Sequence, residues 1–250
     1  MAYNYKQSRK DVLSELTQPT KIVKVVNPTD EKLTYENGKR AWITACFVDI
    51  RNSTKLIEAA TDTKADDKLA RMLRAFSSEI IKIMRTGGNY WQIGLRGDSV
   101  YGVFNTPQQS DMAKVFTVAS TINTFIKMFN KLLKQNNFQT IKVGIGLGCG
   151  NDLIIKAGDD TSGINDILFI GDAVYHAANN ADEVANKTID APIVMDSCFH
   201  FNLTKHKSYK DKNWFTKNTD KRGNEIYSCD VMQSEFKNWI NNGFKDSANG

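Results

Sequence analysis

Residues 141–150, in the middle of this chain, alternate strictly between apolar side chains and positions that carry almost none. One side holds Ile141, Val143, Ile145, Leu147 and Cys149, and the other holds Lys142, Gly144, Gly146, Gly148 and Gly150. This period of two predicts a β-strand with one apolar face and one nearly bare face. A bare face has two interpretations: a helix or another backbone packs directly on the glycines, or the face looks toward a ligand.

The rest of the apolar pattern predicts alternating strands and amphipathic helices. The predicted strands are 41–50, 90–95, 99–104, 141–150, 154–157, 167–170 and 193–195, and the predicted helices are 65–84, 107–134 and 171–186. Segment 154–157 is expected to return antiparallel as the second half of a hairpin. A turn, a basic loop, a hairpin and a helix ending near Asn241 follow Pro192. The order predicts an α/β fold (an α+β sandwich): a ferredoxin-like, antiparallel-rich sheet with helices packed on one face.

The composition is that of an ordinary globular protein, with 41% apolar and 24% charged residues. A chain of 250 residues can bury one sizeable core. We expect residues 1–38 to form an N-terminal helix and connector, and residues 39–250 to form a single domain. The sequence has no stretch of about 18 apolar residues, so we expect neither membrane insertion nor export.

Charge and cysteine usage restrict the partners and the compartment. The net charge of +5 is mild and forms no basic stripe interleaved with aromatics, so nucleic acid is not expected as a partner. A polyanionic small substrate remains compatible. The four cysteines form no CxxC pair and do not combine with the three histidines at zinc-ligand spacing. A reduced, cytoplasmic location is the simplest expectation.

Two aspartates occupy unusual places. Asp49 ends a strand that is otherwise apolar, and Asp98 lies in the turn between two β-type runs. If that hairpin lies beside the first strand, both carboxylates reach one rim of the sheet, where a divalent cation would offset their repulsion. The alternative is structural, with Asp49 as a helix cap and Asp98 as a turn residue. The turn 50–54 joins strand to helix, and its backbone N–H groups, with the Ser53 and Thr54 hydroxyls, suit a triphosphate.

Four segments together resemble the class III nucleotidyl cyclase catalytic domain. They are FVDIRNST (47–54), RGDSVYGVF (96–104), IKVGIGLGCGNDLIIKAG (141–158) and IGDAVYHAANNAD (170–182). The resemblance implies that Asp49, Asp98 and the Ile50 carbonyl hold two Mg²⁺ or Mn²⁺ ions, with the triphosphate bound by Ile50, Arg51, Asn52, Ser53 and Thr54. It also implies a head-to-tail homodimer, because sites of this family lie at a dimer interface.

Departures from the family pattern concern the base and the transition state. The family's Lys and Asp that contact a purine base align with Gly94 and Leu168. The family's Asn and Arg that stabilise the transition state align with Tyr175 and Asn179. Arg96 is the leading substitute for contact with the base or a phosphate, and Tyr175 for contact with the sugar or a phosphate. Three cations of a later hairpin could also reach the triphosphate, although a solvated, charged turn is the favoured interpretation: Lys217, Lys221 and Arg222.

The missing purine-reading pair and the form IGLRGDSVYGVF are similar to the pyrimidine cyclases of the Pycsar bacterial antiphage systems. That resemblance implies synthesis of cyclic CMP or cyclic UMP from a pyrimidine nucleoside triphosphate, and a separate effector that responds to the product. Three alternatives stay open: a degenerate cyclase domain that only binds nucleotide, an adenylate cyclase, and a polymerase- or diguanylate-cyclase-like palm. The palm fits least, because a GGDEF-type signature is missing.

Overall fold

A computed structural model of the chain describes residues 3–58, 62–159, 162–189 and 191–246. Its strands are β1 (Lys21–Lys24), β2 (Asn37–Ile50), β3 (Tyr90–Arg96), β4 (Ser99–Asn105), β5 (Val143–Asp159), β6 (Ile164–Ile170), β7 (Ile193–Asp196), β8 (Thr216–Thr219) and β9 (Glu225–Cys229). Its helices are α1 (Tyr5–Thr17), α2 (Ser53–Glu58), α3 (Thr63–Met84), α4 (Gln109–Gln135), α5 (Asp172–Asn179), α6 (Ser197–Lys205) and α7 (Ser234–Asn241). A π-helical segment, Asn180–Ala185, continues α5. The outer bounds of the predicted domains, residues 1 and 250, lie outside the described ranges, and the division at residue 38 stays a prediction.

The strands of the described residues form one mixed sheet with the order β3-β4-β2-β5-β7-β9-β8. β6 extends it by antiparallel pairing with β5, and β1 pairs with the start of β2. Only the β1–β2 and β5–β7 pairs of the described strands are parallel. The predicted antiparallel-rich α/β fold is confirmed.

Helices cover both faces of this sheet, so the prediction that they lie on one face is wrong. Cys46, Val48 and Ile50 of β2 pack into a core with α3 and α4, while Ala45 and Phe47 belong to a second core with α5. The physical reason is the composition of β2. Because its side chains are apolar on both faces, each face needs a covering layer to be removed from water.

The glycine face of β5 is covered by α5 and its π-helical continuation. A Cβ added at Gly146 would overlap the backbone of Ala177 and Ala181, and one at Gly148 would lie 2.5 Å from the Ala173 carbonyl oxygen. Of the two interpretations of the bare face, the structure therefore supports close backbone packing. Side chains here would push the helix off the sheet.

β5 runs without a break from Val143 to Asp159, so the predicted return strand at 154–157 is wrong. The real hairpin joins β5 to β6, which pairs Leu153 with Ile170. The sequence Gly-Asn-Asp at 150–152 is typical of a turn, but here Asp152 is buried within the strand. Its carboxylate accepts a hydrogen bond from the Ala173 N–H at 3.2 Å and so caps α5.

Two further elements were not predicted. The segment after β7 was expected to be a turn and a basic loop, yet it begins with α6, which the Asp196 side chain caps by accepting from the Phe199 N–H at 2.6 Å. The connector contains β1. None of the helices in the described ranges combines the length and the hydropathy that crossing a bilayer demands.

Candidate active site

Asp49 lies near the end of β2 on the side of the sheet that α5 covers, and it is partly exposed. Its carboxylate accepts hydrogen bonds from the Ser99 hydroxyl and, at 3.0 Å, from the Asn186 side-chain amide. Burial raises the pKa of Asp49, and the nearby carboxylates of Asp98 and Asp182 raise it further, against the effect of the two hydrogen bonds. A cation placed here would relieve that repulsion.

Asp98 comes from the tight turn between β3 and β4, where Arg96 pairs with Ser99. Gly97 beside it has a φ of 63°, a conformation that favours glycine. The turn leads directly into β4, whose Ser99 donates to Asp49, so the two carboxylates lie at the same end of the sheet. One Asp98 oxygen, Oδ2, is buried with no hydrogen-bond partner among the described residues. An orphaned carboxylate oxygen beside a second carboxylate fits a hard divalent cation.

The turn after β2 offers fewer backbone donors than the sequence predicts. The Arg51 N–H donates to the Lys142 carbonyl at 2.9 Å, so it is not available to a phosphate. The Arg51 guanidinium donates to the Ala185 carbonyl at 2.7 Å. Asn52 has a φ of 57°, and Ser53 begins α2 immediately afterwards. The Ile50 side chain is buried, which leaves its backbone carbonyl as the group that could serve as a ligand.

A cleft of about 400 Å³ opens on the α5 side of the sheet, and its lining includes Arg96 from the strand that leads to Asp98. Its lining includes Arg96 and Leu168, which the sequence predicts, together with Phe47, Tyr101 and Asp166. The Tyr101 ring stacks on Phe47 with ring centroids 5.3 Å apart and an interplanar angle of 16°. The cleft therefore has aromatic, cationic and acidic groups within reach of one small ligand.

Tyr101 lies over Gly94, the position that the resemblance aligns with the purine-reading Lys of the family. The two residues are paired across β3 and β4, and a Cβ added at Gly94 would lie 2.7 Å from the Tyr101 hydroxyl oxygen. Any side chain at position 94 would have to displace the ring. The absence of a side chain at Gly94, which looked like a loss in the sequence, makes room for an aromatic group from the next strand.

Sequence reasoning missed a polar pair whose acidic member, Asp166, lines the cleft. The Gln92 side-chain amide donates to Asp166 Oδ1 at 3.0 Å, and Gln92 Oε1 is buried with no partner among the described residues. Asp166 lies on β6, one residue before the strand predicted there. A register shift in β3 between Tyr90 and Gln92 sets which side chains reach the cleft, and nothing in the sequence indicates that shift.

Tyr175 and Asn179 lie on α5, and neither is among the described residues that line the cleft. The Tyr175 ring is 43% exposed, and the Arg222 guanidinium stands 5.2 Å from its centroid. The lysines of the basic hairpin are paired within their own protomer: Lys217 with Glu225, and Lys221 with Glu183 at 3.7 Å. These ion pairs favour the solvated-turn interpretation for both lysines.

Comparison with known proteins identifies close relatives. No protein-family model matches the chain. The chain is 40% identical over 249 residues to the uridylate cyclase of Treponema porcinum, which covers 99% of this chain and 84% of that protein. It is 32% identical over 183 residues to the uridylate cyclase of Gulbenkiania mobilis, covering 71% and 70% respectively. Among solved structures, the adenylyl cyclase CyaB from P. aeruginosa matches with a TM-score of 0.61 at 18% identity, covering 79% of this chain and 97% of that one.

The mixed sheet with helices on both faces has the fold of the class III nucleotidyl cyclase domain. Within that class, the chain belongs to the uridylate cyclase family, and it is a nucleotidyl cyclase. The resemblance to class III cyclases and to their pyrimidine-specific members is confirmed.

Proposed function

We propose that the protein converts UTP to 3′,5′-cyclic UMP and pyrophosphate. The observation that carries this proposal is the meeting of Asp49 with Asp98, whose buried Oδ2 lacks a partner in the described part of the chain. The choice of UTP over CTP, which the sequence leaves open, follows the names of the two relatives. The degenerate-domain alternative is weaker, because both carboxylates are present and brought together.

Different residues would bind the cations, bind the triphosphate and stabilise the developing charge. Asp49, Asp98 and the Ile50 carbonyl would hold two divalent cations, Mg²⁺ or Mn²⁺. Such cations activate the ribose 3′-hydroxyl and offset the charge on the departing pyrophosphate. The N–H groups of residues 52–54 bind the triphosphate at the start of α2. Arg96, in the wall of the adjoining cleft, supplies the positive charge that the missing family Arg would give.

The cleft explains how a pyrimidine is preferred. Tyr101, held over Gly94 and against Phe47, fills space that a purine would need. The pair of Gln92 and Asp166 offers both a hydrogen-bond donor and acceptors, the mixture that the edge of a uracil ring requires. Leu168 replaces a purine-reading carboxylate with an apolar wall.

Replacing Gly94 by Ala tests this description of the cleft. The added methyl group displaces the Tyr101 ring, so we expect kcat/KM for UTP to fall about tenfold while the protein stays folded. In a Tyr101→Ala background the same replacement is expected to have little further effect, because the clashing ring is gone. Equal losses in both backgrounds, measured by steady-state kinetics, would contradict the contact.

We also propose that the active form is a head-to-tail homodimer that completes each site with residues from two chains. Apolar side chains around the cleft support this, because they are exposed in one chain: Leu95 at 57%, Leu168 at 44% and Ile170 at 48%.

We further propose that the cyclic nucleotide acts as a second messenger for a separate effector in cytoplasmic antiphage defence. The resemblance to Pycsar cyclases supports that role.

The direct test is to incubate the purified chain with each of ATP, GTP, CTP and UTP in the presence of Mn²⁺ and to identify the products by mass spectrometry. We expect cyclic UMP from UTP as the main product. A main product of cyclic CMP or a cyclic purine nucleotide would overturn the substrate assignment. Binding of nucleotides without turnover of any would favour the degenerate-domain alternative.

A further inference from the structure

Two thiols and a carboxylate from three separate elements meet away from the catalytic cleft. Cys149 lies on β5, Asp196 ends β7, and Cys198 lies in the first turn of α6. One ligand atom from each lies within 4.8 Å of the others, and the two Sγ atoms are 2.9 Å apart. The two cysteines are 49 residues apart in the chain, so sequence spacing alone gave no hint of the cluster.

The backbone holds this cluster in place. Asp196 Oδ2 accepts from the Cys149 N–H at 3.0 Å, and Oδ1 accepts from the Phe199 N–H at 2.6 Å. A carboxylate oxygen can accept more than one bond, so each retains a lone pair. Cys198 is positioned by Asn202, whose amide donates to its carbonyl at 3.0 Å. The Asp196 carboxylate and the backbone of both cysteines are therefore held in place by hydrogen bonds.

A cavity of about 290 Å³ gives access to the cluster. It is lined by all three residues and also by His176 of α5, an imidazole that can add a nitrogen ligand. Two sulfurs and an oxygen, with a fourth position left open, suit a tetrahedral, thiophilic cation of the zinc class. They do not suit Mg²⁺, which takes oxygen ligands and belongs with the carboxylates of the catalytic rim.

We propose that Cys149, Cys198 and Asp196 bind one thiophilic divalent cation, with the fourth position open to His176 from the cavity wall or to a water molecule. Binding takes both sulfurs as thiolates and releases their protons to solvent. The ion joins β5, β7 and α6, and so ties the sheet to the helix that follows it. This proposal goes beyond the cyclase reaction and does not depend on it.

Cobalt substitution tests the site with a signal that carboxylates cannot produce. We titrate the reduced, chelator-treated 250-residue protein with Co²⁺ and record absorption, expecting a thiolate-to-cobalt charge-transfer band that Zn²⁺ abolishes. Cys198→Ser leaves one thiolate and is expected to reduce the band about twofold or more. Cys46→Ser, which removes a buried cysteine outside the cluster, is the matched control and leaves the band unchanged.

Two further measurements keep the test independent of folding and of the proposed function. Wild-type protein alone gives the presence or absence of the band, so a misfolded variant does not decide the result. Asp49→Asn is expected to leave the band unchanged, because Asp49 is not one of the residues of the cysteine cluster. No band with wild-type protein, a band insensitive to Cys198→Ser, or a Cys149–Cys198 disulfide that persists under reduction would overturn the site without affecting the cyclase assignment.

Discussion

Asp49→Asn and Asp98→Asn are each expected to lower cyclase activity about 10²- to 10³-fold while leaving the fold intact. Each replacement removes one of the two negative charges that would hold the cations at the rim. Neither should unfold the protein, because burial already disfavours the charged form of Asp49 and one oxygen of Asp98 has no partner in the described residues. Steady-state turnover of UTP with Mn²⁺, alongside thermal unfolding, measures both quantities.

The matched control for these two variants is Asp67→Asn. Asp67 is an exposed carboxylate on α3 that pairs with Arg71 at 2.7 Å. It has no part in the proposed cation site. We expect this variant to keep full activity. Wild-type turnover by either Asp49→Asn or Asp98→Asn would show that the carboxylate concerned does not serve the reaction. A large drop in the unfolding temperature would indicate a structural role instead.

Gly146→Ala is expected to destabilise the protein by about 3 kcal/mol or more. The added methyl group overlaps the backbone of Ala177 and Ala181, so α5 and its π-helical continuation must move away from β5. Shortening a side chain elsewhere offers no relief, because the overlap is with main-chain atoms. Urea unfolding followed by circular dichroism gives the change in the free energy of unfolding.

Gly163→Ala is the matched control for this prediction. Gly163 has a φ of 72° and open space around it, so an alanine there meets backbone strain of about 1 kcal/mol but no overlap. We expect Gly146→Ala to cost clearly more than this control. Equal costs at the two positions would mean that the helix does not pack on the glycine face as described.

Much of the fold could be predicted because local pattern and tertiary structure agree. The alternation at 141–150 indicates a strand with a bare face, and the continuous apolar run of β2 indicates a central strand. Prediction failed where a long-range contact overrides a local signal. Asp152 belongs to a turn-like sequence, yet it stays inside β5 because its carboxylate caps a helix 21 residues away.

The residues of the candidate site also differ in how far the sequence alone could indicate them. Asp49 and Asp98 could be found because acidic residues are out of place at the end of an apolar strand and recur in the adjacent hairpin. Tyr101, Gln92 and Asp166 could not, because their convergence depends on the pairing of β3 with β4 and on where β6 begins. A sequence gives the order of residues within one strand, whereas this cleft is lined by side chains from β2, β3, β4 and β6.

The most direct test of the account is a crystal structure of the protein with Mn²⁺ and a non-reactive UTP analogue. We predict anomalous Mn²⁺ signal at the Asp49 and Asp98 carboxylates, the triphosphate on the turn after β2, and the uracil ring in the cleft beside Tyr101. Manganese and triphosphate bound at any other place, with these two carboxylates bare, would contradict it.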